Sequence, residues 1–281
     1  MLLRCGSYSL DLSTPTVMGI LNVTPDSFSD GGQFSGVDDA IHHALAMVDE
    51  GAGIIDVGGE STRPGAADVS ESDEIARVVP VIAALNRRVN VPISVDTSKA
   101  GVMREAIAAG ASMINDVRAL QEPGALAIAA ASKAAVCLMH MQGEPRSMQH
   151  DPRYNDVVLE VREFLAARLA ACVGLGIERE RIALDPGIGF GKRLEHNLDL
   201  LANLPSLLEL GQPLLIGVSR KSMFKGLLGR AVDERLAGGV AVGTAAVLAG
   251  AGILRVHDVA ESVDAIKVAV ALRDAGYRIG G

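Results

Sequence analysis

Ile182-Ala-Leu-Asp-Pro-Gly-Ile-Gly-Phe-Gly-Lys192 is the stretch on which the reading of the chain turns. A short apolar run ends in a carboxylate, and the backbone then becomes permissive. Pro186 biases Asp185 to extended geometry, while Gly187, Gly189 and Gly191 allow tight turns or a close approach to a ligand. The expected local structure is a strand that delivers Asp185 into a glycine-rich loop. Two nucleotide-binding fingerprints fail here. The phosphate loop needs four residues between Gly and Gly-Lys and then Ser or Thr, whereas three intervene after Gly187 and Arg193 follows. The dinucleotide pattern lacks its glycine three residues beyond Gly189. Read alone, the segment also admits a surface turn with a solvated Asp.

Outward from this segment the same pattern repeats. Apolar runs rich in Val, Ile and Leu occur at Val17–Val23, Ile54–Val57, Ile93–Val95, Met113–Ile114, Ala135–Met139, Ile182–Leu184, Leu214–Val218 and Ile253–Val256. Segments of helical period lie between them, among them Ser70–Leu85, Ser98–Ala109, Val157–Val173 and Val232–Leu248. Ser70 and Ser98 are the expected helix starts, and Gly51, Gly110 and Gly174 the expected stops. Alternation of this kind predicts βα units around a parallel sheet. Polar residues follow almost every run: Asn22, Asp56, Asp96, Asn115 with Asp116, His140, Asp185, Ser219, and Arg255 with His257. An open sheet would scatter these side chains, whereas a closed barrel gathers them on its C-terminal face. The predicted fold is therefore α/β, a TIM (β/α)8 barrel forming a single domain over residues 1–281. Leu2–Leu12, with Gly6-Ser7 as its turn, reads as a short N-terminal hairpin preceding it.

Composition narrows the function. Of 281 residues 49% are hydrophobic but 3% aromatic, without Trp, so the core must be aliphatic, as in parallel sheets covered by helices. Phe28, Phe34, Phe190 and Phe224 fall in predicted loops, where a flat ligand would use them. A net charge of −8 without a basic run argues against nucleic acid and leaves small molecules as the expected partners. Cys5, Cys137 and Cys172 form no short-spaced pair, which argues against a thiolate metal site and suits a reducing cytoplasm. No secretory signal pattern is seen at the start, and Leu236–Leu254 carries five glycines, unlike a membrane span.

Three polar strand ends suit a heterocycle. Asp96, Asn115 and Asp185 offer carboxylate acceptors and an amide that both donates and accepts. A pterin or guanine edge presents adjacent ring N–H and amine donors that engage one carboxylate through two bonds. Taken singly, each residue also reads as a helix cap or loop brace. Arg255-Val-His257-Asp258 closes the eighth strand and opens the last helix, where anions are bound in this architecture. Asn22 supplies an amide oxygen suited to a hard cation such as Mg²⁺. The loops at Thr24–Gly32 and Gly58–Gly65 are polar and glycine-flanked, as lids are. Ser219-Arg220-Lys221-Ser222 places two cations before a helix N-terminus, a seat for a carboxylate.

Met18–Gly32 (MGILNVTPDSFSDGG), Asp56–Gly65 (DVGGESTRPG), Asp185–Lys192 (DPGIGFGK) and Ser219–Ser222 (SRKS) resemble the signature segments of the bacterial dihydropteroate synthase family. The resemblance spans Val17 to about Leu272. It implies a TIM-barrel transferase of folate synthesis that joins 6-hydroxymethyl-7,8-dihydropterin diphosphate to 4-aminobenzoate, releasing diphosphate, and is sensitive to sulfonamides. Asp96, Asn115, Asp185 and Lys221 would hold the pterin, with Arg255 packing over it. Asn22, Thr62, Arg63, Arg255 and His257 would surround diphosphate and Mg²⁺, with Asn22 on the metal. Phe28, Arg63, Pro64, Phe190, Lys221 and Ser222 would frame the aminobenzoate. A homodimer is implied, and the apolar Val232–Leu248 helix is the expected part of its interface. The other readings are a pterin-binding methyltransferase working with a corrinoid partner and a non-catalytic pterin-binding protein. The attacking aromatic amine is neutral and needs no base, so a dissociative substitution is expected, with diphosphate leaving first.

Overall fold

In the computed structural model, residues 1–23, 32–61, 68–144 and 148–277 are described, side chains 32–35 excepted. Eight parallel strands carry the apolar runs: β3 (Thr16–Asn22), β4 (Ile54–Gly58), β5 (Ile93–Asp96), β6 (Met113–Asp116), β7 (Ala135–Met139), β8 (Ile182–Asp185), β9 (Leu215–Ile216) and β10 (Ile253–Val256). They are preceded by the antiparallel hairpin β1 (Leu2–Cys5) and β2 (Tyr8–Asp11). Strand order in the sheet is β8-β7-β6-β5-β4-β3-β10-β9. A parallel bridge between Leu184 and Leu214 joins its two ends, and the Leu184 N–H donates to the Pro213 carbonyl at 2.9 Å. The sheet is thus a closed barrel, as the strand-end pattern predicts.

Helices lie between successive strands: α1 (Gly32–Asp49), α2 (Glu71–Leu85), α3 (Ala100–Ala109), α4 (Ala125–Ala131), α5 (Val157–Gly174), α6 (Leu194–Ala202), α7 (Leu204–Leu208), α8 (Met223–Leu228), α9 (Leu236–Leu248) and α10 (Val259–Asp274). Their apolar stripes meet the outward strand residues in one continuous aliphatic core that includes Val17, Leu21, Ile55, Val57 and Ile114. Inward residues form a second core in which Met18, Ile54, Met113, Ala183 and Ile253 meet Leu3, Cys5 and Leu12 from the hairpin segment. Burial on both faces is why these strands read as unbroken apolar runs instead of alternating ones. The hairpin closes the N-terminal end, its Gly6 N–H donating to Lys133 O just before β7.

Several local expectations hold and others do not. Ser70 caps α2, its Oγ accepting from Asp73 N–H at 3.1 Å, and Gly110 ends α3 with a left-handed φ of 119°. Ser98 is not a cap: its hydroxyl turns to the Asp116 carboxylate at 2.5 Å, and α3 starts two residues later at Ala100. α5 stops at Gly174 as expected, and Gly176, two residues on, takes the left-handed position. The segment from Val232 is a short 3-10 turn over Val232–Glu234 followed by α9, so it is not one helix. Phe224 packs inside α8, and Phe34 lies within α1, so neither is a loop aromatic.

Candidate active site

On five strands a small or apolar inward residue is followed, two positions on, by a charged or amide side chain on the same face. Ile54 precedes Asp56, Ser94 precedes Asp96, Met113 precedes Asn115, Ala183 precedes Asp185, and Ile253 precedes Arg255. The outcome is a polar floor at the C-terminal end, above the aliphatic plug. Arg255 lies across it, donating through Nε to Asp56 Oδ2 at 2.6 Å and through Nη2 to Asp96 Oδ2 at 2.6 Å. Asn115 donates from Nδ2 to the same Asp56 oxygen at 3.1 Å. Burial works against the Arg255 charge, but Asp56 and Asp96 outweigh it and hold the guanidinium above its ordinary value. Burial pushes the Asp96 carboxyl up to about 7 against the pull of Arg255, helped by the Asp56 charge. Asp56 is fully buried, and its Oδ1 has no hydrogen-bond partner among the described residues. An unpaired buried carboxylate oxygen costs free energy unless a ligand donor meets it.

Asp185 sits beside this floor at the end of β8. Its Oδ1 accepts from the Gly187 N–H at 2.7 Å, and burial raises its carboxyl above the usual range despite that bond and the nearby Lys221, Lys192 and Arg255. Lys221 leans over from the β9 side, its Nζ lying 3.9 Å from the centroid of the Phe190 ring. This is a cation–π contact, made on the flank of the glycine-rich loop. Burial lowers the Lys221 ammonium to about 8, opposed by Asp185. A carboxylate, an ammonium and an aromatic face therefore converge at the glycine-rich loop.

The anion side is less converged. His257 follows β10, its N–H donating to Ser219 Oγ at 3.2 Å, with its Nδ1 3.1 Å from the same hydroxyl. Arg220, expected to face a ligand carboxylate, instead pairs with Asp258 at 2.6 Å. Ser222 precedes α8 without making a side-chain cap. Asn22 ends β3 in register with Gly58 of β4, and a Cβ placed on Gly58 would lie 3.9 Å from Asn22 Oδ1 and 3.8 Å from Asp96 Oδ2. A 630 Å³ cavity opens beside Asp96, with Glu60 and Glu74 on its wall, both held by Lys99 at 2.5 Å. Phe28, Thr62, Arg63 and Pro64 lie outside the described residues.

The structure thus joins Arg255 directly to Asp96 and, through Asp56, to Asn115, places Asp185 and Lys221 within electrostatic reach, and sets Phe190 under Lys221. Sequence reasoning noted Asp56 as a polar strand end and left it out of the site, although it is the acceptor shared by Arg255 and Asn115. Its inward spacing from Ile54 is the signal that finds it. Lys192 and His140 were also passed over; they pair at 3.0 Å beneath the glycine-rich loop. Burial lowers Lys192 to about 7 and His140 to about 3, the Lys192 charge adding to the latter.

A closed βα barrel whose C-terminal mouth sets carboxylates and an amide beside an arginine and a lysine defines a small-molecule enzyme site for a donor-rich heterocycle. The sequence profile of the pterin binding enzyme family matches residues 18–257. The chain is 54% identical to the dihydropteroate synthase of Escherichia coli strain K12 over 267 residues, covering 95% of each protein. The Yersinia pestis dihydropteroate synthase, solved as a sulfonamide drug complex, superposes with a TM-score of 0.93 at 53% identity, over 98% of this chain and 100% of that one. The Xanthomonas albilineans dihydropteroate synthase with 4-aminobenzoic acid superposes with a TM-score of 0.91 at 50% identity, over 97% and 98%. The chain belongs to the dihydropteroate synthase family of pterin-binding enzymes, which are transferases.

Proposed function

We propose that this chain condenses 6-hydroxymethyl-7,8-dihydropterin diphosphate with 4-aminobenzoate on the floor and flank described above. The observation that carries the site assignment is the unpaired Asp56 Oδ1 beside Asp96, Asn115 and Asp185, a set of acceptors without enough donors. A pterin edge supplies those donors. In this reading Asp96, Asn115, Asp185 and Lys221 hold the pterin, and Arg255 packs over it. Phe190, Lys221 and Ser222 frame the aminobenzoate, joined by Phe28, Arg63 and Pro64. Asn22, Arg255 and His257, with Thr62 and Arg63, receive the diphosphate. The methyltransferase reading loses ground, since the relatives that match over nearly the whole chain are synthases.

The chemistry follows from what surrounds the reacting carbon. The aromatic amine is neutral and nucleophilic, so the protein need not activate it. Arg255 and His257 favour charge developing on the departing diphosphate, the term that commonly dominates catalysis. Asp96 and Asp185 stabilise positive charge on the pterin methylene, and bond formation to the amine then completes a dissociative substitution. Mixing the enzyme with pterin diphosphate and Mg²⁺ alone tests this: C–O cleavage or positional isotope exchange is expected before 4-aminobenzoate is added. Exchange that waits for the amine, with rates rising steeply with aniline basicity, would overturn it.

Asn22 would offer its amide oxygen to Mg²⁺, a hard cation that takes most of its remaining oxygens from diphosphate and water. When bound it would neutralise diphosphate charge. A homodimer is supported by exposed apolar side chains, Leu236 on α9, Leu227 and Leu228 on α8, and Val268 and Leu272 on α10. Among the described residues no helix is long and apolar enough to cross a membrane. Three unpaired buried thiols support a reducing, cytoplasmic setting.

A further inference from the structure

Lys192 is 3% exposed, and the reaction as derived above gives it no part. Its ammonium has three protons to donate, and three acceptors surround it: Phe190 O at 3.0 Å, His140 Nδ1 at 3.0 Å and His140 O at 3.3 Å. The first belongs to the crest of the Gly187–Gly191 loop, the others to the residue that follows β7. The loop lies flat on that neighbour. A Cβ on Gly187 would overlap the His140 carbonyl oxygen, and one on Gly191 the Gln142 carbonyl oxygen. Both glycines hold positive φ, 69° and 59°, so neither close approach nor conformation tolerates a side chain.

The flanking loop residues have their own ties. Gly189 donates to Asn197 Oδ1 at 2.7 Å and accepts from Gln149 Nε2 at 2.6 Å, while the Gly191 carbonyl accepts from Tyr154 OH at 2.8 Å. The Phe190 carbonyl is held by Lys192, whose side chain folds back under the loop to reach it. Above, the Phe190 ring receives the Lys221 ammonium. From these contacts we infer that Lys192 is a positioning residue for the second substrate: it rivets Phe190 to the end of β7 and so fixes the aromatic wall against which 4-aminobenzoate is aligned. The inference rests on the reading of Phe190 as that wall.

Its test is steady-state kinetics on Lys192→Met, Phe190→Leu and the double variant, with both substrates varied. Lys192→Met keeps length and apolar bulk but removes every donor. The KM for 4-aminobenzoate should rise about tenfold, the loss expected when a buried carbonyl is left unpaired and the wall drifts, while the KM for pterin diphosphate changes less than about threefold. Phe190→Leu should raise the same KM, and the double variant should add little to either single change, because both act through one wall. If Lys192→Met does not fold, Lys192→Gln, whose amide still reaches a carbonyl, is read in its place and should show a smaller rise in the same constant. A raised KM in Phe190→Leu with an unaltered one in the Lys192 variant overturns the inference but spares the wall. Unaltered KM in Phe190→Leu itself overturns the wall and the inference with it. Additive effects in the double variant would show that Lys192 acts elsewhere.

Discussion

At the N-terminal end of the barrel, Leu3 and Cys5 from the hairpin meet Met18, Ile54, Met113 and Ile253 without exposure to water. One inward step further along the same strands stand Asp56, Asn115 and Arg255, the first two buried and the Arg255 side chain 19% exposed, bound to one another by charged hydrogen bonds. The two layers share backbone, register and depth, and differ in how they are satisfied. The plug is complete in itself. The floor retains an unpaired Asp56 oxygen and an Asp96 carboxyl pushed up to about 7 by burial. A buried polar layer left short of donors is unfavourable in the free protein, and a donor-rich ligand removes the deficit on binding. Stability and recognition are thus assigned to layers one strand step apart.

The change that should break the polar layer most severely is Arg255→Met. It removes the cation shared by Asp56 and Asp96 and leaves two facing carboxylates, the situation in which loss of one partner of a buried pair costs roughly 3–5 kcal/mol. Denaturant unfolding should show that loss, and pterin affinity by calorimetry should fall by about a hundredfold or more. Asp185→Asn is the next largest. Its carboxylate already accepts the Gly187 N–H at 2.7 Å, so an amide that turned its NH₂ toward either partner would place donor against donor. Pterin affinity should drop by about tenfold or more. Unchanged affinity in the folded variant would move the pterin edge away from Asp185.

Acidity sharpens the contrast further. A carboxyl raised by burial keeps its proton when folded after the unfolded chain has lost it, so stability contributed by Asp96 at low pH is lost as pH rises through about 7. Ligand binding has the opposite sense, because N–H donors prefer the ionised carboxylate. Pterin affinity should therefore weaken as pH falls below 7, by up to about tenfold per unit, with proton release detectable in buffers of different ionisation enthalpy. Above about 8 Lys221 loses its charge, so affinity should peak between these values. Asp96→Asn should flatten the acid limb. A pH-independent affinity in the unaltered protein would mean that Asp96 is ionised throughout.

Much of this was readable in the chain. Strand count, parallel connection and the gathering of Asp96, Asn115, Asp185 and Arg255 follow from apolar runs that end in polar residues, because a barrel converts strand ends into neighbours. What escaped reading has a common cause, namely side chains whose partners come from distant strands. Asp56 looked like one polar end among eight until Arg255, 199 residues away, was found on it. Ser98 looked like a cap because local sequence cannot show that Asp116 outbids the helix for its hydroxyl. Arg220 looked available to substrate, and its tie to Asp258 is again a contact between strand ends. Local propensity is legible; exchange of partners across the barrel is not.

The smallest effect on ligand binding is expected from the plug itself, and it is the one that decides whether the two layers are independent. Leu3→Ala deletes buried aliphatic volume below Met18 and Met113, at a position with no exposure and no polar atom to rescue. Truncations of this kind cost about 2–5 kcal/mol, depending on how far the surroundings relax into the cavity. Relaxation upward would have to pass through Ile54 and Ile253, whose strands are pinned on both sides by parallel ladders to β3, β5 and β9. Those ladders hold Asp56 and Arg255 at fixed height, so the floor should not feel the void. Chemical denaturation should show the full loss, while pterin affinity and kcat stay within about twofold, as for sites that do not share partners. A Leu3→Ala protein that is folded but binds pterin several-fold more weakly would show that the aliphatic plug sets the height of the polar floor. The hairpin would then be part of the recognition machinery and not only its foundation.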